Sequence, residues 1–220
     1  MTITITDEIL NILPDFHIIA MTMDVVVESS EYLEQLIASY EQKIREEYSI
    51  EDVLNIPLIK EARDGYKALG KDPSRYRLAV ESLYRRIVKG NSLYRINNIV
   101  DLGNLLSLEV CRSVAVLDFD KIQGDVYVRR GTQDDIYEGI GRGIINVDKI
   151  PLYCDEIGPF GCPTSDVMRT RITDETKKIL LLIICFSDKL LEQCRDTAIK
   201  MYTTYAKVKN IKDVDVIRKW

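Results

Sequence analysis

The sequence predicts an α+β fold, and three patterns in the 220 residues support that class. Apolar residues recur at helical spacing between residues 29 and 108. Short β-branched runs separated by Gly, Asp and Asn follow between residues 113 and 153. A continuous apolar run at 179–186 then precedes another amphipathic segment. Helices followed by strands and a final strand–helix pair are typical of α+β proteins, and regular βαβ alternation is absent.

The first half of the chain is expected to be mainly helical. Residues 6–12 predict a short helix, and the apolar stretch 16–27 predicts one or two strands. Ser29 or Ser30 would cap a long helix that ends near Tyr48, because acidic residues fill its first turn. Pro57 near the start and Gly70 after the end predict a helix over residues 57–69, and Pro73 and Gly90 do the same for residues 72–90. A further helix is expected over about residues 98–108.

The second half is expected to contain strands joined by turns. Residues 158–163 have the composition of a loop, and 179–186 should form a buried strand. Ser187 or Asp188 would cap the last helix, and the polar tail from Lys207 is expected to fray. The other strands are predicted over residues 113–119, 125–130, 143–147 and 150–153.

Composition narrows the class of protein. Hydrophobic residues make up 46% and charged residues 30% of the chain, no apolar run has the length of a membrane span, and the N-terminus does not resemble a secretory signal. A cytoplasmic protein that does not bind membranes or DNA is therefore expected. The five cysteines are scattered without a C-x-x-C pair and His17 is the only histidine. These counts disfavour a disulfide framework and a zinc site, so neither metal nor cofactor is expected.

Charge is distributed unevenly along the chain. Residues 1–59 hold 12 acidic and 2 basic side chains, whereas residues 60–95 hold 4 acidic and 10 basic ones. A basic segment within an acidic protein could contact a phosphate backbone locally, although a solvated helix face would give the same pattern. The candidate RNA-binding residues are Lys67, Lys71, Arg75, Arg85, Arg86 and Lys89.

The densest polar helix is predicted around residues 96–107. Asn97, Asp101 and Asn104 would lie on one helix face, where they could either tie neighbouring loops together or line a site for a small zwitterionic or ester ligand.

A second candidate region is the segment 158–171. Its glycines would let backbone N–H groups approach a ligand. Arg169 or Arg171 could hold a carboxylate or phosphate, and Asp166 could hold an ammonium group. An ordered surface loop would have a similar composition. Cys162 lies here, but a nucleophilic cysteine normally needs a base and His17 is the only imidazole. Hydrolysis would therefore depend on a positioned water molecule and an oxyanion site, and no catalytic residue is assigned.

Several motifs resemble one known family. Residues 95–109 (RINNIVDLGNLLSLE), 117–122 (LDFDKI), 125–130 (DVYVRR) and 174–176 (DET) occur in the order found in the B3/B4 domain of the phenylalanyl-tRNA synthetase β subunit. The resemblance covers about residues 60–205 and is closest to free-standing members. It implies a layered fold with a packed β core flanked by helices, an amino-acid-sized pocket, and hydrolysis of mischarged tRNA. Residues 1–220 would form a single domain, with 1–59 as an acidic N-terminal extension.

The family pattern is not complete in this chain. Asn104 matches a pocket asparagine of the family, but Gly103 stands where the family has threonine. Ala115 replaces a histidine that helps to place water, and the glutamate that recognises a tyrosine hydroxyl would fall near Met168 or Arg169.

Two functions are therefore predicted as alternatives. The first is a hydrolase that edits mischarged tRNA in trans. The second is a non-catalytic module that binds an amino acid or an aminoacyl-tRNA. In both cases the expected partners are tRNA or aminoacyl-tRNA, with a free amino acid as a further possibility. The expected pocket residues are Asn97, Asp101, Gly103, Asn104, Cys162, Asp166 and Arg169.

Overall fold

The computed structural model describes residues 1–218 and has the predicted α+β class. The helices are α1 (Asp7–Leu10), α2 (Glu34–Glu47), α3 (Pro57–Ala68), α4 (Ala79–Val88), α5 (Asn98–Val110) and α6 (Leu191–Ala206). The first six strands are β1 (Ile3–Ile5), β2 (His17–Asp24), β3 (Val114–Asp118), β4 (Val126–Arg130), β5 (Glu138–Gly139) and β6 (Gly143–Ile144). The others are β7 (Pro151–Cys154), β8 (Pro159–Cys162), β9 (Ser165–Asp166), β10 (Lys178–Cys185), β11 (Lys209–Asp213) and β12 (Val216–Arg218).

Two sheets form the centre of the molecule. The larger sheet has the order β12-β1-β4-β7-β8-β9, in which β1 runs parallel to β12 and β4, and the remaining pairs are antiparallel. The second sheet has the order β11-β2-β10-β3 and is antiparallel throughout. Strands β5 and β6 form a separate hairpin.

The strand β10 divides the apolar interior into two layers. Ile179, Leu181 and Ile183 pack in a cluster with residues of α2 to α6, whereas Leu180 and Leu182 pack in a second cluster with residues of both sheets. Because side chains of a strand alternate between its faces, a continuous apolar run is what a strand covered on both sides requires. The prediction of a buried strand at 179–186 is confirmed.

Several predicted boundaries were wrong for identifiable reasons. The helix expected from residue 72 begins at Ala79, because the carboxylate of Asp72 accepts hydrogen bonds from the backbone N–H and hydroxyl of Ser74 and closes a turn there. The last helix begins at Leu191 instead of directly after residue 188, following Leu190 in a left-handed conformation (φ 58°).

Three predictions about loops and strands also need correction. The expected loop 158–163 contains β8, which pairs with β7 and β9. The expected strand 143–147 is reduced to the two residues of β6. The tail that was expected to fray supplies β11 and β12, which pair with β2 and β1. Residues 1–59 supply β1 and β2, so they contribute a strand to each main sheet. Among residues 1–218, no helix combines the length and hydrophobicity that a membrane crossing needs.

Candidate functional site

Two polar regions meet at the hairpin formed by β8 and β9. Thr164, at the turn of this hairpin, lines a broad open groove, and its neighbours Pro163 and Ser165 line a small enclosed cavity. The two regions differ in size, exposure and charge.

The open groove has a volume of about 850 Å³. Guanidinium, phenol, amide and hydroxyl groups lie along it together with two isoleucines. The lining residues are Arg75, Tyr76, Thr132, Gln133, Asp135, Arg142, Ile144, Ile145, Asn146 and Thr164.

The groove carries uncompensated positive charge. Arg75 and Arg142 are exposed, and neither forms a salt bridge with another residue in the range 1–218. Asp135 is the one carboxylate in the lining, and both of its oxygens accept hydrogen bonds from Arg129, at 2.6 and 2.9 Å. These bonds lower the pKa of Asp135 to about 2. The groove is therefore suited to an anionic or polar ligand.

A buried ammonium group fixes one wall of the groove. The Nζ of Lys71 donates to the backbone oxygens of Asn146 (2.7 Å) and Asp148 (2.9 Å), and it lies 3.8 Å from the ring centroid of Tyr76. Burial lowers the pKa of Lys71. Lys71 was predicted to contact RNA phosphates, but its charge is used inside the protein to hold the groove wall.

The small cavity has a volume of only about 20 Å³ and is lined by a carboxyl group, one oxygen of which has no hydrogen-bond partner among residues 1–218. The Oδ1 of Asp166 and the hydroxyl of Tyr153 both face this region, and both are buried without a hydrogen bond. Burial raises the pKa of Asp166 from its usual 3.8 to about 7. Ala115, which the resemblance predicts to replace a family histidine, lines the same cavity.

Gly161 makes this arrangement of Tyr153 and Asp166 possible. A Cβ atom at Gly161 would lie 2.6 Å from the Cδ2 of Tyr153 and 3.0 Å from the Oδ1 of Asp166. The glycine thus provides room for the aromatic ring and the carboxyl group beside β8.

Cys162 is not prepared to act as a nucleophile. Its Sγ donates to the backbone oxygen of Ser165 at 3.2 Å, and burial raises its pKa to about 11. The single histidine, His17, lies opposite Cys185 in the pairing of β2 with β10, so it is not the partner of Cys162. The thiol stays protonated at neutral pH, in which form it is a poor nucleophile.

The predicted polar residues of α5 have structural contacts. The Oδ1 of Asn97 accepts from the backbone N–H groups of Ile99 and Val100, which caps the helix, and the carboxylate of Asp101 accepts from the backbone N–H of Ile96 at 3.0 Å. Burial raises the pKa of Asp101.

Gly103 and Asn104 lie on α5, away from the cavity. A Cβ atom at Gly103 would meet Val116 at 2.5 Å, so the glycine allows α5 to pack closely on one face of β3. Ala115 and the cavity lie on the opposite face of that strand. The structure therefore brings Cys162 and Asp166 together but does not gather Asn97, Asp101, Gly103 and Asn104 with them.

The remaining predicted site residues lie in different surroundings. Arg169 makes two hydrogen bonds to the carboxylate of Asp155, each 2.9 Å, and a third to a backbone oxygen, so it ties loops together. Lys67 pairs with Asp64 at 3.1 Å. Of the six candidate RNA-binding residues, Arg75 alone lines the groove.

The other cations of the predicted RNA-binding set lie on α4 or at its end. Arg86 lies over the ring of Tyr94, with its Cζ 3.8 Å from the ring centroid. Arg85 lies near Glu81, and Lys89 is exposed.

Sequence reasoning missed Tyr76, Arg142, Asn146 and Tyr153. The glycine-rich stretch 139–143 was a usable signal, because glycines on both sides of Arg142 indicate a tight hairpin that presents its side chain. Within residues 1–218, no group of three or more His, Cys, Asp and Glu side chains is arranged to hold a metal ion.

Comparisons with known proteins agree with this fold. The family model of the B3/4 domain matches residues 61–216. The phenylalanine–tRNA ligase β subunit of Bartonella quintana (strain Toulouse) is 31% identical over 90 residues, which are 39% of this chain and 11% of that protein.

A solved structure extends the likeness to nearly the whole chain. It is an N-terminal fragment of the phenylalanyl-tRNA synthetase β-subunit from Pyrococcus horikoshii, and it superimposes with a TM-score of 0.55 at 14% identity. The match covers 99% of this chain and 52% of the fragment, so this chain spans about half of that structure. The two proteins share a fold.

Proposed function

The chain belongs to the B3/4 domain family, and on that premise we propose that it acts on aminoacyl-tRNA and removes a wrongly attached amino acid by hydrolysis in trans. The relation to synthetase β subunits supports an aminoacyl-tRNA-related role. The chain matches only a part of each relative, and ligation itself is not proposed for it.

The open groove is the observation that carries this proposal. Its volume of about 850 Å³ falls within the roughly 300 to 1,000 Å³ typical of ligand sites. Arg75 and Arg142 offer exposed guanidinium groups that form no salt bridge within residues 1–218, while Tyr76 and Asn146 offer an aromatic ring and an amide. These groups suit an aminoacyl ester of a terminal adenosine, which has a phosphate, ribose hydroxyls and a base.

The proposed reaction does not use a protein nucleophile. A water molecule would attack the ester carbonyl, the bond between that carbon and the ribose oxygen would break, and the hydroxyl of the tRNA would leave with a proton. A guanidinium group beside the carbonyl would stabilise the negative charge that develops on oxygen. Cys162 is buried and protonated, so it takes no part in this scheme.

A second function, recognition without hydrolysis, is favoured by one specific observation. The family histidine is replaced by Ala115, which faces a cavity of about 20 Å³ and not the groove. Since His17 lies on β2 opposite Cys185, no imidazole is available at the groove. A protein of this kind would hold an amino acid or aminoacyl-tRNA without turning it over.

Deacylation of a panel of aminoacyl-tRNAs tests the proposal directly. We expect the unchanged protein to release the amino acid from a subset of mischarged species, and we expect Arg142→Gln to lose this activity. Arg195→Gln is the matched control, because Arg195 lies on α6 and is paired with Asp213 at 2.7 Å. Saturable binding of one species without turnover would replace hydrolysis by the recognition function. Neither binding nor turnover of any species would reject both.

We also propose that residues 1–220 act as one domain, which is supported by the contribution of β1 and β2 to the two main sheets. Aminoacyl-tRNA is the proposed partner, and the cytoplasm, where charged tRNA is used, is the proposed location.

A further inference from the structure

One buried carboxylate is shared by three arginines at the start of α4. Glu81 is 1% exposed, and its Oε2 lies 2.6 Å from the Nη1 of Arg63. Its other oxygen lies 3.9 Å from the Nη1 of Arg85 and 4.0 Å from the Nε of Arg77. Only Arg63 is at hydrogen-bonding distance, since such bonds to nitrogen donors extend to about 3.2 Å.

A second acid, Asp72, interacts with two of the arginines in this region, but the arginines still outnumber the carboxylates. The carboxylate of Asp72 accepts from the backbone and hydroxyl of Ser74, and these hydrogen bonds together with Arg75 and Arg63 lower its pKa. Four guanidinium groups, on Arg63, Arg75, Arg77 and Arg85, thus face two carboxylates. The Nε of Arg85 is also buried without a hydrogen-bond partner.

The positions of these arginines connect the cluster to the groove. Arg75 lines the groove, and Arg77 follows two residues later at the edge of the cluster. We infer that Arg77 and Arg85 bind a backbone phosphate of the tRNA whose aminoacyl end occupies the groove. This inference rests on the proposed function and adds to it the path of the RNA.

The guanidinium groups of this cluster are suited to binding a phosphate group. A guanidinium group presents parallel N–H donors that match two phosphate oxygens. Glu81 is hydrogen-bonded to Arg63 and lies 3.9 Å from Arg85 and 4.0 Å from Arg77, so one carboxylate faces three cations and the group keeps a net positive charge. Two other predicted RNA-binding residues have partners within the protein. Lys67 forms a salt bridge with Asp64, and Lys71 donates hydrogen bonds to backbone oxygens.

The salt dependence of tRNA binding tests this site. We would measure the affinity of a deacylated tRNA at several chloride concentrations for the unchanged protein, Arg77→Gln, Arg85→Lys and Arg195→Gln. Arg77 is the safest position to change, because its side chain is 47% exposed and only loosely associated with Glu81. Arg85→Lys keeps the charge beside the buried Glu81 and removes the planar fork.

For Arg77→Gln we expect a loss of affinity of roughly 3- to 10-fold and a decrease of about 0.7 to 1 in the slope of log K against log salt, as expected for the loss of one phosphate contact. Arg85→Lys should weaken binding with little change of slope, and Arg195→Gln should match the unchanged protein. A slope for Arg77→Gln equal to that of Arg195→Gln would overturn the inference.

Two further measurements separate this inference from the proposed function. Turnover of an aminoacyl ester of adenosine, which carries no phosphate, reports on the groove alone. If the unchanged protein hydrolyses this ester while Arg77→Gln binds tRNA normally, the phosphate site is wrong and the proposed function stands. If inorganic phosphate weakens tRNA binding no more than chloride does at equal ionic strength, phosphate and tRNA do not share the cluster and the RNA assignment fails. If the unchanged protein neither binds tRNA nor hydrolyses the ester, both proposals fail.

Discussion

The groove and the cavity lie next to the same hairpin, yet their polar groups differ in charge and in exposure to solvent. In the groove, Arg75 and Arg142 are exposed, and neither forms a salt bridge with another of the residues 1–218. In the cavity, the Oδ1 of Asp166 is buried and accepts no hydrogen bond from the described residues. An exposed cation keeps its hydration and is ready to exchange water for a ligand, whereas a buried acid avoids the cost of desolvation by staying protonated.

The groove can therefore serve as a ligand site, whereas the cavity is expected to lower the stability of the folded protein. The groove can accept a molecule of several hundred Å³, but the cavity of about 20 Å³ has room for about one water molecule. Ala115 lines the cavity and not the groove. If the chain is a hydrolase, its chemistry should therefore depend on the groove, and changes in the cavity should affect mainly folding.

The largest expected effect is on the pH dependence of stability through Asp166. Its pKa is about 7 in the folded protein and 3.8 when unperturbed, so between these pH values the folded state binds more protons than the unfolded state. Stability contributed by this group is therefore complete below about pH 4 and declines as pH rises to about 7, by roughly 4 kcal/mol in total. We expect Asp166→Asn to remove most of this decline, which urea unfolding across the pH range would measure.

Asp155→Asn is an informative comparison for Asp166, because the Asp155 side chain is buried and accepts two hydrogen bonds from Arg169. That variant should lose stability at neutral pH, when a charged pair is broken. Equal pH profiles for the unchanged protein and Asp166→Asn would show that the carboxyl of Asp166 has a partner, and the contrast between groove and cavity would fail.

The next largest effect is expected in the groove, on activity and not on stability. Arg142→Gln should reduce the apparent second-order rate constant of deacylation by roughly 10- to 100-fold, the range expected when a hydrogen bond to a charged group is lost. Its unfolding midpoint should change little, because Arg142 is exposed and forms no salt bridge within residues 1–218. A variant with normal deacylation would exclude Arg142 from the ligand site.

The local parts of the fold were predictable, and the parts that depend on distant pairing were not. Pro57 opens α3 and Gly70 (φ 86°) follows its end, because these roles depend on residues a few positions apart. The sequence predicts a loop where β8 lies, because Pro159 and Gly161 are rare in strands, and only the pairing with β7 reveals the strand.

The candidate site was harder to predict than the fold for the same reason. Arg75 and Arg142 are far apart in sequence, and no periodic pattern links them before the chain folds. Cys162 and Asp166 were expected in one region because they are close in sequence, and both line the cavity at the hairpin. The sequence could not indicate that the Oδ1 of Asp166 accepts no hydrogen bond from residues 1–218, because that depends on every side chain packed around the carboxyl group.

The smallest expected effect is a difference in the free energy of unfolding between variants of two buried tyrosines, Tyr66 and Tyr153. The hydroxyl of Tyr66 is 2.9 Å from the Oγ1 of Thr164, at the edge of the groove, whereas the hydroxyl of Tyr153 has no partner. Tyr66→Phe should therefore cost about 1 kcal/mol in the free energy of unfolding, and Tyr153→Phe should cost nothing or stabilise the protein slightly. Both rings stay in place in these variants, so the difference between the two measurements reports on the hydroxyl groups alone. A cost for Tyr153→Phe equal to that for Tyr66→Phe would mean that a water molecule occupies the cavity and bridges Tyr153 to Asp166. The cavity would then be a hydrated extension of the site, and Asp166 would become a candidate for holding a water molecule near the hairpin.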